Sequence, residues 1–138
     1  MPLLRGGSSS LSPVDIEGSM GWMLPADVSE AADASPVRSV RLVPAFDQYV
    51  IGATKHAAAL LPGAFKDRVY RPQGWVSPVL LVAGRMNGVW RYQRKGRRLF
   101  VDIEPFVDLP GWARRGAEAE AERLAGFVGG ALELTWNV

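Results

Sequence analysis

The chain has 138 residues, 48% hydrophobic and 22% charged, with a formal net charge of +2; these values are typical of a globular domain and exclude a fibrous or wholly disordered protein. It holds no cysteine and one histidine, His56, which excludes disulfides, thiol nucleophiles and a site with several histidine ligands, and suits a reducing cytoplasm. No apolar run approaches the roughly 20 residues that span a bilayer, so we expect no membrane contact.

The sequence of the first 35 residues indicates a flexible tail, a hairpin and a helix. Residues 1–12 combine glycine and serine without hydrophobic periodicity, which indicates a flexible tail. Residues 14–24 read as two short strands around Gly18 and Ser19, which predicts a hairpin. Residues 25–35 are rich in alanine and acidic groups and precede Pro36, which predicts one short helix. We interpret residues 13–138 as a single domain.

The middle of the chain predicts a strand at residues 39–42 and short helical segments at 57–61 and 63–70. Phe65 and Val69 stand four residues apart, so they share one face of a helix. Asp47 is interpreted as a turn or capping residue that accepts backbone N–H bonds, or as a partner for an arginine.

Residues 75–104 contain the clearest architecture. An apolar strand up to Val82 is followed by a turn at Ala83 and Gly84, a strand over 85–93 and a second turn in which Gly96 supplies a positive φ. Apolar residues then alternate from 99 to 104. The pattern predicts an antiparallel meander, in which each strand pairs with the next.

The last part predicts a long helix over residues 109–128, ended by Gly129, and a strand over 131–136. The expected buried face of the helix consists of Trp112, Ala117, Ala121, Leu124 and Phe127. The fold class is therefore α+β: an antiparallel sheet with a long C-terminal helix and several short helices.

The motifs of several enzyme classes are missing. The sequence has no Walker loop and no dinucleotide fingerprint, and a hydrolytic triad based on His56 lacks a nucleophile elbow. We therefore expect no cofactor, no metal ion and no catalytic residue within the chain.

The net charge of +2 hides a strong asymmetry. Residues 1–37 net −4, and residues 99–138 also net −4. Between them, residues 38–98 carry twelve Lys or Arg against two acidic residues, a net of +10. A basic middle indicates an anionic partner, of which nucleic acid is the commonest. The alternative is a solvated face that acidic neighbours balance in the fold.

The predicted hairpin at residues 85–98 carries six cations and no acidic residue. They are Arg85, Arg91, Arg94, Lys95, Arg97 and Arg98. A two-stranded ribbon with a cationic tip suits a phosphate backbone or a groove of duplex DNA. The alternative is that the tip keeps a sheet edge soluble. Trp90 and Tyr92 in the same hairpin suit stacking on bases, although a place in the core is favoured for Trp90.

Three stretches of the sequence resemble a known family. They are VRLVPAFDQYVIG at residues 40–52, RVYRPQGWVSPVLLV at 68–82 and GRMNGVWR at 84–91. Together they resemble the C-terminal part of the bacterial winged-helix DNA-binding proteins of the AlkZ/YcaQ-like DNA glycosylase family. The resemblance covers roughly residues 14–136 and implies tandem winged helices and a C-terminal barrel-like region in the whole protein, of which this chain resembles the last third.

The resemblance also implies a function. In the family's glycosylases a Gln-x-Gln motif positions the catalytic water, whereas Gln48, Gln73 and Gln93 stand isolated here. It therefore implies DNA binding more directly than base excision, through Arg71 and the 85–98 hairpin. The primary hypothesis is a cytoplasmic, nucleoid-associated domain that binds the phosphate backbone of duplex DNA. The alternatives are a homo-oligomer or scaffold module, which a separate winged-helix chain could complete, and a residual glycosylase.

Overall fold

A computed structural model describes residues 10–54 and 57–138. Most of the predicted tail at residues 1–12, and His56, lie outside the described residues. The chain divides into two compact units, Met1–Pro36 and Val37–Val138. That residues 13–138 form one domain stays a prediction. Among the described helices, none combines the length and the apolar character needed to cross a membrane.

The first unit contains the predicted hairpin and helix. Strands β1 (Ser12–Ile16) and β2 (Ser19–Met23) pair antiparallel, and helix α1 (Pro25–Asp33) follows. The two residues of the turn, Glu17 and Gly18, have φ values of 49° and 90°. A turn with both central φ values positive matches the twist of a hairpin, so local chemistry accounts for this element.

The second unit is built on a sheet with helices on both faces. Its strands are β3 (Val40–Val43), β4 (Tyr70–Arg71), β5 (Trp75–Val76), β6 (Val79–Val82), β7 (Arg85–Lys95), β8 (Arg98–Pro105) and β9 (Ala131–Trp136). Its helices are α2 (Gln48–Gly52), α3 (Ala57–Leu60), α4 (Lys66–Val69) and α5 (Gly111–Val128), with single 3-10 turns at Gly63–Phe65 and Pro72–Gly74. The α+β class predicted from the sequence is confirmed.

The main sheet has the strand order β3-β6-β7-β8-β9, and β4 and β5 form a separate two-stranded ribbon. Strands β6, β7 and β8 form the predicted antiparallel meander. Strand β9 lies parallel to β8, because α5 carries the chain back across the sheet between them. Edge strands β3 and β9 pair with one neighbour each, so the sheet does not close into the barrel-like region that the resemblance implied.

The sheet packs a core on each face, and a register shift moves the side chains of β7 from one core to the other. Leu80 pairs with Gly88 but Leu81 pairs with Met86, so Asn87 is an extra residue in β7. Met86 and Trp90 are four residues apart and would share a face of a regular strand, but the bulge puts them on opposite faces. One face packs against α5 around Trp90, and the other packs against the short helices around Met86. This arrangement explains why β6 is apolar along its whole length.

Helix α5 presents small residues to the sheet. Its buried residues are Ala113, Ala117, Ala121 and Ala125, spaced four apart. The prediction was right for Ala117 and Ala121, while Trp112 and Leu124 are half-buried. It was wrong for Phe127, which is 90% exposed. Phe127 lies two residues beyond Ala125 and therefore almost on the opposite side of the helix.

Candidate nucleic-acid interface

The β7–β8 hairpin ends in a solvated cationic tip. Lys95 pairs with Arg98 across a two-residue turn, and Gly96 there has a φ of 59°. Positive φ at the first central position is what a type II′ turn needs, which explains the glycine. All residues from 91 to 98 are exposed, whereas Leu99 is buried. The core therefore stops where the cations begin.

The pairing register distributes the cations over both faces of the hairpin. Residues directly opposite each other share a face, and successive residues alternate. Arg91 lies opposite Asp102, and Lys95 lies opposite Arg98, all on one face. Arg94 lies opposite Leu99, on the face that packs against α5. With Arg97 in the turn, the tip presents positive charge on both faces and at its end.

Some of these cations have anionic partners. Nε of Arg91 lies 3.0 Å from a carboxylate oxygen of Asp102, and a guanidinium nitrogen of Arg98 lies 3.7 Å from Glu133. Other tip contacts involve neutral groups: Nε of Arg94 donates to the Gly96 carbonyl at 3.4 Å, and Nζ of Lys95 lies 5.6 Å from the centre of the Phe100 ring.

We call Arg94, Lys95 and Arg97 the tip cations. Among the residues that the structure describes, none of the three forms an ion pair with a carboxylate. They are therefore the strongest unneutralised positive charge at this end of the sheet.

Two further predicted site residues lie away from the tip. Arg85 begins β7, so about 30 Å of extended strand separates it from Lys95. Its guanidinium donates to the carbonyl of Ala59 at 2.9 Å. Arg71 ends β4 and lines a cleft together with Arg91. The structure thus groups Arg71 with Arg91 and leaves Arg85 apart from both.

The cleft has a volume of about 520 Å³ and a balanced charge. Its charged lining consists of Asp67, Arg68, Arg71, Arg91, Asp102 and Glu104. Arg68 donates two hydrogen bonds to Glu104, at 2.7 and 2.6 Å. These hydrogen bonds hold the pKa of Glu104 below its ordinary value of 4.5 and raise the pKa of Arg68. Sequence reasoning missed this pair, because 36 residues separate the partners and no local pattern joins them.

The aromatic residues of the hairpin have different roles. Trp90 is buried, and its indole nitrogen donates to the carbonyl of Val43 at 2.8 Å, so the predicted core position is confirmed. Tyr92 is 59% exposed, and its ring stacks against that of Trp90 at a centroid distance of 5.7 Å. Asp47 also behaves as predicted, because its carboxylate accepts hydrogen bonds from the first backbone N–H groups of α2.

Comparison with known proteins places the chain in a family. A family model described as DNA glycosylase AlkZ-like matches residues 5–127. The chain belongs to this family. It is similar to an interstrand DNA cross-link repair glycosylase of Streptomyces sahachiroi, with 34% identity over 116 residues, which is 83% of this chain and 30% of that protein. The resemblance seen in the sequence is confirmed.

A solved structure supports the same AlkZ-like assignment. The chain is similar to the Streptomyces sahachiroi DNA glycosylase AlkZ with a TM-score of 0.72 and 29% identity, over 96% of this chain and 35% of that one. The AlkZ-like chain therefore spans about a third of the length of the relatives it matches. Both relatives are named as glycosylases that act on DNA, and one is named for the repair of interstrand cross-links.

The three isolated glutamines of this AlkZ-like chain lie in different elements. Gln48 begins α2, and Gln73 lies in the turn between β4 and β5. Gln93 lies on β7, where it pairs with Phe100 of β8. Within the described ranges, no three carboxylate or imidazole side chains come close enough together to hold a metal ion.

Proposed function

We propose that this AlkZ-like chain binds duplex DNA through the tip of the β7–β8 hairpin. The observation that carries the proposal is the exposure of residues 91–98 together with the absence of a carboxylate partner for the three tip cations in the described part of the chain. Desolvation is small for such groups, and their charge is available to phosphate oxygens.

The roles of the remaining predicted contacts follow from their partners. Arg98 lies beside the tip and reaches a phosphate if its contact with Glu133, 3.7 Å long, opens. Arg91 and Arg71 line the cleft together, away from the tip, and Asp102 already neutralises Arg91. Arg85 lies outside this patch, so a DNA contact from Arg85 remains a separate prediction. We place the protein in the cytoplasm, at the nucleoid.

A charge-matched pair of variants tests the proposal. One variant replaces Arg94, Lys95 and Arg97 with alanine. The control replaces Arg114, Arg115 and Arg123 of α5 with alanine and removes the same charge. We expect the tip variant to bind duplex DNA far more weakly than the control at low salt, measured by fluorescence anisotropy. The slope of log K against log salt should become shallower by about 0.9 for each phosphate that the variant no longer neutralises.

Two outcomes would count against binding through the hairpin tip. Unchanged affinity of the tip variant at low salt, with its fold intact by circular dichroism, would contradict the proposal. An equal reduction of affinity in the tip variant and the control would assign binding to net charge and not to the hairpin.

DNA glycosylase activity is named for the relatives, and the chain spans about a third of their length. We propose that this chain contributes DNA binding to such an activity without supplying its catalytic group, because no Gln-x-Gln motif occurs in the sequence. Incubation with alkylated or cross-linked duplex should yield no abasic sites, and their appearance would make the chain a glycosylase in its own right.

Self-association is a second candidate function, favoured by Phe127. Its ring is 90% exposed and borders a groove of about 380 Å³. The groove is lined by the apolar residues Leu42, Trp90 and Leu124 and by the charged residues Glu120 and Arg123. An exposed aromatic beside a partly apolar groove suits a second copy of the chain or a separate winged-helix chain. Light scattering at high concentration decides the first case: a dimer that Phe127→Ser dissociates supports it, and a strict monomer contradicts it.

A further inference from the structure

A second ribbon presents aromatic side chains to solvent. Strands β4 and β5 pair through Tyr70 with Val76 and Arg71 with Trp75, and residues 71–75 are all exposed. Trp75 is 50% exposed. Its ring meets that of Phe46, itself 43% exposed, at a centroid distance of 4.9 Å and an angle of 77°. This edge-to-face pair leaves a large part of both rings open to a ligand.

The backbone that carries the pair is strained. Phe46 and Gln73 have φ values of 60° and 63°, in the left-handed region that non-glycine residues rarely occupy. Such conformations are unfavourable for non-glycine residues and persist only where the surrounding structure holds them. The Phe46 N–H donates to the Val76 carbonyl at 3.3 Å, which ties the strained residue to the ribbon. Burial does not offset this strain, because Phe46 and Gln73 are both exposed.

A positive charge, that of Arg71, lies beside the Trp75–Phe46 pair and favours an anionic ligand. Arg71 lies directly opposite Trp75, so both side chains share a face of the ribbon. A shallow cleft of about 530 Å³ at this tip is lined by Arg71, Pro72, Gln73 and Trp75, and it contains no carboxylate. Arg71 itself forms no ion pair with a carboxylate of the described residues. A flat aromatic surface beside an unpaired cation matches a nucleobase and its phosphate.

We propose that Trp75, oriented by Phe46, stacks on an unpaired nucleobase while Arg71 binds the adjoining phosphate, so that the chain prefers DNA with a single-stranded or locally unpaired site. This inference rests on the proposed function in that DNA is the ligand. It adds a site on a different ribbon from the tip cations and a different substrate class, because bases within an intact duplex do not expose their faces for stacking.

The test compares two exposed tryptophans. Trp75→Ala removes the stacking surface, and Trp22→Ala is the control, since Trp22 is 63% exposed in the first unit. The probes are a labelled oligothymidine and a duplex of equal length. Stacking contributes about 1–3 kcal/mol per base, so Trp75→Ala should weaken oligothymidine binding by roughly 5-fold to 150-fold. Its duplex affinity, and both affinities of Trp22→Ala, should stay near those of the wild type.

A spectroscopic readout separates stacking from a general loss of structure. Oligothymidine should quench part of the tryptophan emission of the wild type. Trp75→Phe keeps an aromatic surface, so it should still bind while that part of the quenching disappears. If Trp75→Ala does not fold, Arg71→Glu serves instead, because the exposed Arg71 makes no ion pair to break within the described residues and the change should lower oligothymidine affinity selectively.

The outcomes distinguish this inference from the proposed function. Equal affinities of wild type and Trp75→Ala for oligothymidine, or a reduction equal for oligothymidine and duplex, would overturn the stacking site, as would binding of neither probe. Trp75-dependent binding of oligothymidine without duplex binding would support the stacking site and refute the hairpin proposal. Duplex binding that depends on the tip cations, together with oligothymidine binding that Trp75→Ala leaves unchanged, would support the hairpin proposal and refute the stacking site.

Discussion

The Arg68–Glu104 pair shows how single residues tune the candidate cleft. Both hydrogen bonds of the pair are charge-assisted, and the two side chains are 48% and 39% exposed. Solvent screens such a pair, so its contribution to stability is about 0.2–1 kcal/mol. While Glu104 is ionised it occupies two of the five N–H donors of Arg68 and neutralises its charge.

We predict that replacing Glu104 with glutamine changes how stability depends on pH. The pKa of Glu104 is lowered in the folded state from an ordinary value of 4.5. The stabilisation it provides is therefore fully present above about pH 4.5, and it is lost as the pH falls through the lowered value. Urea unfolding should show wild type more stable than Glu104→Gln at neutral pH, with the difference shrinking in acid.

Glu118→Gln is the control for this experiment. Glu118 is exposed on α5 and forms no ion pair among the residues described. A stability difference between wild type and Glu104→Gln that stays constant across the acid range would contradict the role assigned to the pair.

At the scale of single residues, register decides what can be predicted. The contact between Arg91 and Asp102 follows from a two-residue turn after Lys95, because that turn aligns the two residues. It could have been derived from the sequence. The contact between Arg68 and Glu104 could not, since it joins a short helix to a strand whose relative positions no turn determines.

Among the elements, α5 depends on close approach to the sheet. Gly116 faces Val40, and a Cβ atom added to Gly116 would lie 2.5 and 2.8 Å from two side-chain atoms of Val40. The second of these is the Cβ of Val40, which cannot move without its strand. Gly126 lies in the same helix, but an added Cβ there would meet nothing within 4 Å.

We predict opposite effects of one substitution at these two glycines. Gly126→Ala should stabilise the fold by about 0.5–1 kcal/mol, because alanine loses less conformational entropy in a helix. Gly116→Ala gains the same propensity but should be destabilising overall, since overpacking typically costs about 1–3 kcal/mol. Urea unfolding of both variants measures the difference. Stabilisation by both substitutions would show that α5 can move away from β3.

Periodicity predicted most elements of the chain, and the failures have a common cause. The meander, the long helix and the last strand follow from local patterns and turn residues. The position of Phe127 does not, because the helix buries small alanines and leaves the largest apolar residue of its last turn in solvent. The parallel pairing of β9 with β8 depends on where α5 crosses the sheet, and no local pattern encodes that.

Across the second unit, folding neutralises part of the charge asymmetry of the sequence. Within the described residues, four ion pairs join the basic middle to the acidic end of the chain: Arg41–Glu120, Arg68–Glu104, Arg91–Asp102 and Arg98–Glu133. The two interpretations of the asymmetry therefore apply to different residues. Acidic neighbours balance these four arginines, while Arg71 and the tip cations have no such partner in the described chain. No count of charges along the sequence could have separated the two groups.

This division leads to a prediction about Glu133. The contact of Glu133 with Arg98 is 3.7 Å long, and both side chains are more than half exposed, so the pair is weak and Glu133 mainly lowers the potential beside the tip. Glu133→Gln should raise duplex affinity at low salt and steepen the salt dependence by up to about 0.9, because Arg98 becomes available to one more phosphate.

Glu118→Gln again provides the control, since it removes the same charge from α5. Salt titrations of both variants by fluorescence anisotropy give the comparison. A higher affinity confined to Glu133→Gln places the DNA beside Arg98. Equal increases of duplex affinity in the two variants would mean that the protein attracts DNA through its net charge. That result would contradict the proposal that the hairpin is the contact surface.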